Sequence, residues 1–256
     1  MGQTAKSFKD FLLTSFEILQ PGIIVDSVIF GFNEGEIKVL LNRYKAHPNW
    51  MLPGGFVCKD EGIEEAAGSL LKKRTGLKNC YLRQFSTFGE PDEAIIEENK
   101  QLLREYGMGD MDSHWLLDRY VNIGYYAFVN YNEARIKPTL DEECGWFGLS
   151  KLPSLFCNHR MIIDKAIQVI RMEINYIPIG LGLLPEKFTI SELRVIYETI
   201  LGKSLDRRNF QRKILSCGYI YKLDEISRKW GVKDAALYAF NKEKYLKAME
   251  QGMDFF

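Results

Sequence analysis

The order of amphipathic segments between Phe188 and Phe240 constrains this chain more than any other feature. The run Phe188-Thr189-Ile190-Ser191 supplies a helix N-cap, and Leu193, Ile196, Tyr197 and Ile200 then share one helical face. Gly202 closes that helix. Ser204 or Asp206 caps a second one, Arg207 to Ser216, in which Phe210, Ile214 and Leu215 are apolar while Arg207, Arg208, Arg212 and Lys213 are left outside. Two β-prone runs, Tyr219–Leu223 and Ala235–Phe240, follow around a basic loop. Helix, short turn, basic helix and strand pair, in that order, predict a winged helix-turn-helix.

Charge follows the same division. The 34 basic and 34 acidic residues cancel over the chain, but from Pro185 onward there are 14 basic against 10 acidic, leaving 20 against 24 before it. Between Lys203 and Lys233 nine basic residues face three acidic ones. A chain of 256 residues holds two modest domains, so the split predicts one over 1–175 and another over 176–256, with different partners. Cys58, Cys80, Cys144, Cys157 and Cys217 are odd in number and scattered, without a CxxC pair. That pattern fits reduced thiols in a cytoplasm, with neither disulfide framework nor zinc site. The three histidines are far apart, so no metal and no cofactor is expected. No apolar run is long enough to cross a bilayer, and the first residues lack a signal peptide's apolar block, so no membrane partner is expected.

The earlier part of the chain is richer in strands. Ser7 to Gln20 has helical spacing of Phe8, Phe11, Leu12, Phe16 and Leu19, stopped by Pro21-Gly22. Ile23–Phe32 and Glu36–Tyr44 read as strands joined by Asn33-Glu34-Gly35, residues that accept hairpin angles. Trp50 to Val57 forms a turn leading into another strand, and Glu61 to Arg74 a helix stopped at Gly76. Tyr81–Phe88, Tyr120–Tyr131 and Cys144–Leu149 read as strands, Ile95–Tyr106 and Met161–Ile174 as helices.

The segment Trp50 to Leu77 resembles the Nudix family, whose box is G-x5-E-x7-R-E-U-x-E-E-x-G-U with U a bulky aliphatic residue. Gly55, Glu61, Leu71, Gly76 and Leu77 fall in register, preceded by Leu52-Pro53-Gly54. The positions that carry chemistry differ. The Arg-Glu pair is replaced by Ser69-Leu70 and the Glu-Glu pair by Lys73-Arg74. In the family, carboxylates at i, i+3 and i+4 converge on one helix face and hold a divalent cation through hard oxygen ligands. Leu70, Lys73 and Arg74 repel such a cation, so the expectation is no catalytic residue and no hydrolysis. Glu61, Glu64 and Glu65 have the same spacing and form an alternative carboxylate cluster; the plainer reading is an acidic first turn favoured by the helix dipole. Lys73 and Arg74 read as a solvated basic face, with phosphate binding as the alternative.

The run Leu183 to Leu193, then Tyr197-Glu198 and Leu205-Asp206-Arg207-Arg208-Asn209-Phe210, resembles the Nudix-related transcriptional regulators, which include repressors of NAD metabolism and of arabinose use. Val25 to Phe32 and Gly124-Tyr125-Tyr126-Ala127 fit the same group. The resemblance implies an α+β protein: a Nudix-type α/β/α sandwich with a mixed sheet, followed by a C-terminal winged helix-turn-helix. Two stretches depart from the group, the longer Pro91–Asp118 and the wing Arg228-Lys229-Trp230-Gly231-Val232-Lys233.

The resemblance implies a repressor that binds double-stranded operator DNA as a homodimer and responds to a small effector. Arg207, Arg208 and Asn209 open the second helix, where side chains meet base edges; Arg212 and Lys213 suit phosphates; Lys222, Arg228, Lys229 and Lys233 fall on the wing. Trp50, Glu90, His114, Trp115 and Arg119 are the candidate effector residues, an aromatic and charged set that suits a sugar such as arabinose. An ADP-ribose-like nucleotide is the alternative. Two rival functions are an active hydrolase of a nucleoside diphosphate derivative and an adaptor that uses the winged helix for protein contacts.

Overall fold

The computed structural model describes residues 8–14, 18–77, 80–109, 113–138, 140–174, 179–227 and 234–251. Helix α1, Phe8–Thr14, is shorter than the apolar spacing predicts. Leu19 and Gln20 already belong to strand β1, Leu19–Asn33. Leu19 is buried within the strand, so the helical spacing overran the boundary. Pro21-Gly22 is not a terminator but part of β1, where Gly22 has φ 74° and the pairing to β3 slips between Leu19 and Ile24. A bulge is where a strand tolerates these residues.

Strand β2, Glu36–Tyr44, follows the expected tight turn, with Glu34 at φ 54° and Gly35 at φ 76°. Two successive left-handed residues match the twist of a hairpin. Strand β3, Gly54–Cys58, leads to helix α2, Ile63–Thr75. Gly76 caps α2 at φ 71°, its N–H donating to the Lys72 carbonyl. Strand β4, Leu82–Phe88, is followed by helix α3, Glu93–Glu105, started by the Asp92 carboxylate accepting from the Ala94 N–H at 2.9 Å. After a single 3-10 turn, Trp115–Leu117, come β5, Val121–Phe128, and β6, Glu142–Gly148. Helix α4 covers His159–Glu173.

These strands form one six-stranded sheet in the order β4-β5-β1-β2-β6, with β3 paired antiparallel to β1. Val25, Val57, Ala67, Ile123 and Tyr125 pack α2 onto it. The long Pro91–Asp118 stretch builds a core of its own: Leu102 and Leu103 of α3 and Leu116 close on Leu12 of α1.

The C-terminal elements are helix α5, Ile190–Leu201; helix α6, Arg207–Ser216; strands β7, Ile220–Ser227, and β8, Ala235–Phe240; and helix α7, Lys242–Gln251. Among the described side chains of α7 one large apolar residue, Tyr245, is buried, too weak a pattern to read in the sequence. Phe188 bridges to Tyr238 and stacks on Phe240 at 4.5 Å, and Tyr245 packs on Phe240 at 5.3 Å.

The chain divides into two compact units, one of Met1–Ile29, Val39–Ala127 and Ala134–Ala166, the other of Phe30–Lys38, Phe128–Glu133 and Ile167–Phe256. The second thus begins within α4 and takes in the β1–β2 turn, whereas the sequence reading placed a single cut after 175. None of the described helices is long and apolar enough to cross a membrane.

Candidate nucleic-acid interface and effector site

Helix α6 starts at a cap chosen from the two the sequence offered: Asp206, whose carboxylate accepts from the Asn209 N–H at 2.8 Å. Arg207, Arg208, Asn209, Arg212 and Lys213 are all exposed, and Ile214 is the buried residue of the helix. Arginines in the first turn face the positive end of the helix dipole, where cations are unfavourable by about 0.3–1 kcal/mol each. Helix stability does not account for them. Asn209 and Arg212, assigned separately to bases and phosphates, are linked, Arg212 Nη2 donating to Asn209 Oδ1 at 3.0 Å.

The turn that presents α6 is pinned by residues sequence reasoning missed. Glu198 of α5 accepts from Arg194 Nη1 and from the Leu205 N–H, both at 2.7 Å, and Arg194 also donates to the Leu205 carbonyl. The pair Arg194/Glu198 lies at i, i+4, but nothing local points to its third member. Tyr197 stacks on Phe210 at 5.3 Å and completes the seating. On the wing, Lys222 is exposed; Arg228, Lys229 and Lys233 lie outside the described residues.

In the first unit the Nudix-box positions take an arrangement the sequence did not predict. Lys73 is exposed, as expected, but Arg74 is not part of a solvated face. It is 6% exposed, and its two terminal nitrogens grip Glu142 of β6 at 2.5 and 2.8 Å. Burial works against its charge, and the hydrogen bonds and charge of Glu142 outweigh that, so its pKa rises. Phosphate binding by Arg74 is therefore corrected: its guanidinium is committed inside the protein. Glu64 and Glu65 are exposed, while Glu61 accepts from the Cys58 N–H at 2.8 Å and closes the loop before α2. With Leu70, an exposed lysine and a paired arginine at the three positions, these residues do not fit the family's divalent cation. Among the described residues no group of His, Cys, Asp and Glu is arranged to hold a metal.

The five effector candidates separate into two kinds. Trp115 packs edge-on against Phe11 and Phe56 at 5.9 and 4.9 Å, and its indole N–H donates to the Leu12 carbonyl at 3.0 Å. It belongs to the core under α3. His114 accepts from the Leu116 N–H at 3.1 Å and so caps the 3-10 turn; burial lowers its pKa. Trp50 meets Phe147 edge-on at 4.6 Å, with the Arg43 guanidinium over its ring at 5.1 Å. Both tryptophans are half-buried and make aromatic contacts within the protein. Glu90 and Arg119 are exposed and adjacent, because Arg119 Nε donates to the Gly89 carbonyl at 2.8 Å.

Both lie at the same end of the sheet as the Leu52–Gly55 turn. Tyr120 packs on Phe56 of β3 at 5.4 Å, and Asn122 donates to Asp26, whose pairing partner is Gly54. Gly54 admits no side chain, since a Cβ would collide with the Asp26 carboxylate.

Residues 180–240 match the NrtR DNA-binding winged helix domain. An ADPR responsive transcriptional repressor of Acinetobacter baylyi is 28% identical over 233 residues, 88% of this chain and 84% of that protein. An ADP-ribose pyrophosphatase of Methanocaldococcus jannaschii is 30% identical over 148 residues, 57% of this chain and 72% of its own length. The chain belongs to the Nudix-related transcription regulators. The crystal structure of Shewanella oneidensis NrtR complexed with a 27mer DNA superimposes with a TM-score of 0.67 at 24% identity, covering 88% of this chain and 95% of that one. That agreement bears out the expected fold of this regulator, a Nudix-like domain followed by a winged helix. Neither relative is named for a sugar.

Proposed function

We propose that this regulator is a repressor that reads operator DNA through the first turn of α6 and releases or retains it according to an ADP-ribose-like nucleotide held by the Nudix-like domain. The observation that carries the DNA reading is the exposed trio Arg207, Arg208 and Asn209 on a helix capped by Asp206, against the dipole's preference. Arg212, Lys213 and Lys222 serve phosphates, and Arg228, Lys229 and Lys233 are proposed wing contacts. A homodimer reading two half-sites fits the geometry of such motifs, and a DNA-bound regulator works in the cytoplasm.

For the effector, the relatives' names point to ADP-ribose, and the site chemistry agrees better with a nucleotide than with a sugar. The exposed Arg119 and Lys73 supply charge for a diphosphate, Glu90 can accept from ribose hydroxyls, and the two half-buried tryptophans already have partners within the protein. Trp50, His114 and Trp115 then support the site rather than touch the ligand. The same substitutions that leave Lys73 and Arg74 at the metal positions make this a sensor without hydrolase activity.

The test is a titration of labelled promoter DNA over a salt series, with and without ADP-ribose, and with L-arabinose as control. Affinity falls steeply with salt, the Arg207→Ala/Arg208→Ala protein loses most of it, and ADP-ribose shifts the curve where arabinose does not. Salt-independent binding, or binding indifferent to the two arginines, overturns the DNA reading. Rapid turnover of ADP-ribose with Mg²⁺ or Mn²⁺, abolished by Glu61→Gln, overturns the sensor reading in favour of a hydrolase.

A further inference from the structure

The Leu52–Gly55 turn is held from behind at three points. The Ser27 N–H donates to the Pro53 carbonyl at 2.9 Å. Asp26 pairs with Gly54, its carboxylate filling the space a side chain would need. The Leu52 N–H donates to Nδ1 of His159 at 2.8 Å. Only the last of these bonds is made to the turn by a side chain from outside the sheet.

His159 is the first residue of α4 and is buried, 7% exposed. Its other ring nitrogen, Nε2, faces Asp26 Oδ2 at 3.5 Å, and Asp26 also receives the side-chain amide of Asn122. Because Nδ1 accepts from a backbone N–H, the ring proton belongs on Nε2, directed at the carboxylate. The imidazole thus accepts from the turn at one nitrogen and faces a carboxylate of the sheet with the other. Phe156 lies against its ring at 5.5 Å, and Glu98 of α3 is the other charge that acts on it. An apolar residue fills such a space more cheaply, since buried polar groups cost free energy unless they are matched. The matched set therefore points to a required orientation, and what it orients is the turn.

We propose that His159 is a positioning residue for the effector: through Nδ1 it fixes the Leu52–Gly55 turn at the end of the sheet that also carries Glu90 and Arg119. This rests on the effector reading above. It assigns a role to a residue that makes no contact with the ligand.

The experiment compares the full-length protein with His159→Leu and His159→Gln. Three quantities are read: amide hydrogen exchange at Leu52 without effector, ADP-ribose affinity by calorimetry, and operator affinity without effector. His159→Leu lowers Leu52 protection and ADP-ribose affinity by about tenfold each, the ratio expected for one lost hydrogen bond, and leaves operator affinity within about twofold. His159→Gln keeps an acceptor and a donor on one side chain and restores most of both losses. Unchanged Leu52 protection in folded His159→Leu overturns the proposal, as does a glutamine variant that fails to restore it. If His159→Leu does not fold, wild-type protection in His159→Gln supports the bridge and lost protection overturns it. A wild-type protein that binds no ADP-ribose removes the effector assignment, while the Leu52 comparison still decides whether His159 holds the turn.

Discussion

Arg74 and Glu142 face each other inside the first unit, the terminal guanidinium nitrogens meeting the carboxylate oxygens at 2.5 and 2.8 Å. Removing one partner strands the other's charge in the interior, which costs about 3–5 kcal/mol. Arg74→Met and Glu142→Leu each lower the midpoint of urea unfolding strongly, and the double variant loses much less than the sum. An additive double variant refutes the coupling.

At Gly76 the backbone is left-handed, at φ 71°, and the nearest atom a Cβ would meet is Arg135 Cβ at an ordinary 3.7 Å. Gly76→Ala therefore pays only the conformational penalty, about 1–2 kcal/mol, and Gly76→Asn less. Gly54→Ala is the harsher change, because the Asp26 carboxylate already occupies the space. In thermal unfolding the loss should be smallest for Gly76→Asn, larger for Gly76→Ala and largest for Gly54→Ala.

The His159 bridge gives stability a pH dependence. Burial holds the imidazole pKa below 6.5, with Asp26 and Glu98 partly offsetting it. The unfolded chain therefore takes up the proton first, so stability is full above about pH 6.5 and declines as pH falls below it. Asp26 is raised above 3.8 by burial, offset in part by His159 and Asn122. Its contribution has the opposite slope, growing as pH falls through its folded pKa toward 3.8. Unfolding midpoints measured from pH 7.5 to 5.5 should drop in the wild type and drop less in His159→Gln. Equal slopes would remove His159 as the cause.

Asp206→Ala removes the cap of α6 and costs about 0.5–2 kcal/mol. The residues that fray first are Arg207 to Asn209, so operator affinity falls with stability, whereas Asp206→Asn preserves both. Paired DNA titrations and melts of the two variants test this.

What the sequence disclosed was local. Asn33-Glu34-Gly35, Gly76 and Gly202 each carry their structural reason within a few residues, so the hairpin and these helix ends were readable. Arg74 was misread because its partner is 68 residues away, on strand β6. His159 carried no signal at all, since the groups that define it, Leu52 and Asp26, are far upstream, Leu52 by 107 residues. Trp115 was assigned to the ligand because an aromatic residue in a charged extension gives no hint that α1 covers it. In the second unit the basic helix was legible in composition, but the Arg194–Glu198–Leu205 link that seats it appears only once the turn is folded.

The outward side of α6 has one more consequence. Arg207, Arg208, Asn209 and Arg212 are exposed, and Ile214 is the buried residue of that helix. The side chains proposed to meet DNA are therefore different residues from Ile214 and Phe210, which anchor the helix, so each set can change without the other. On that proposal, operator preference is free to drift over evolutionary time while the scaffold keeps its stability.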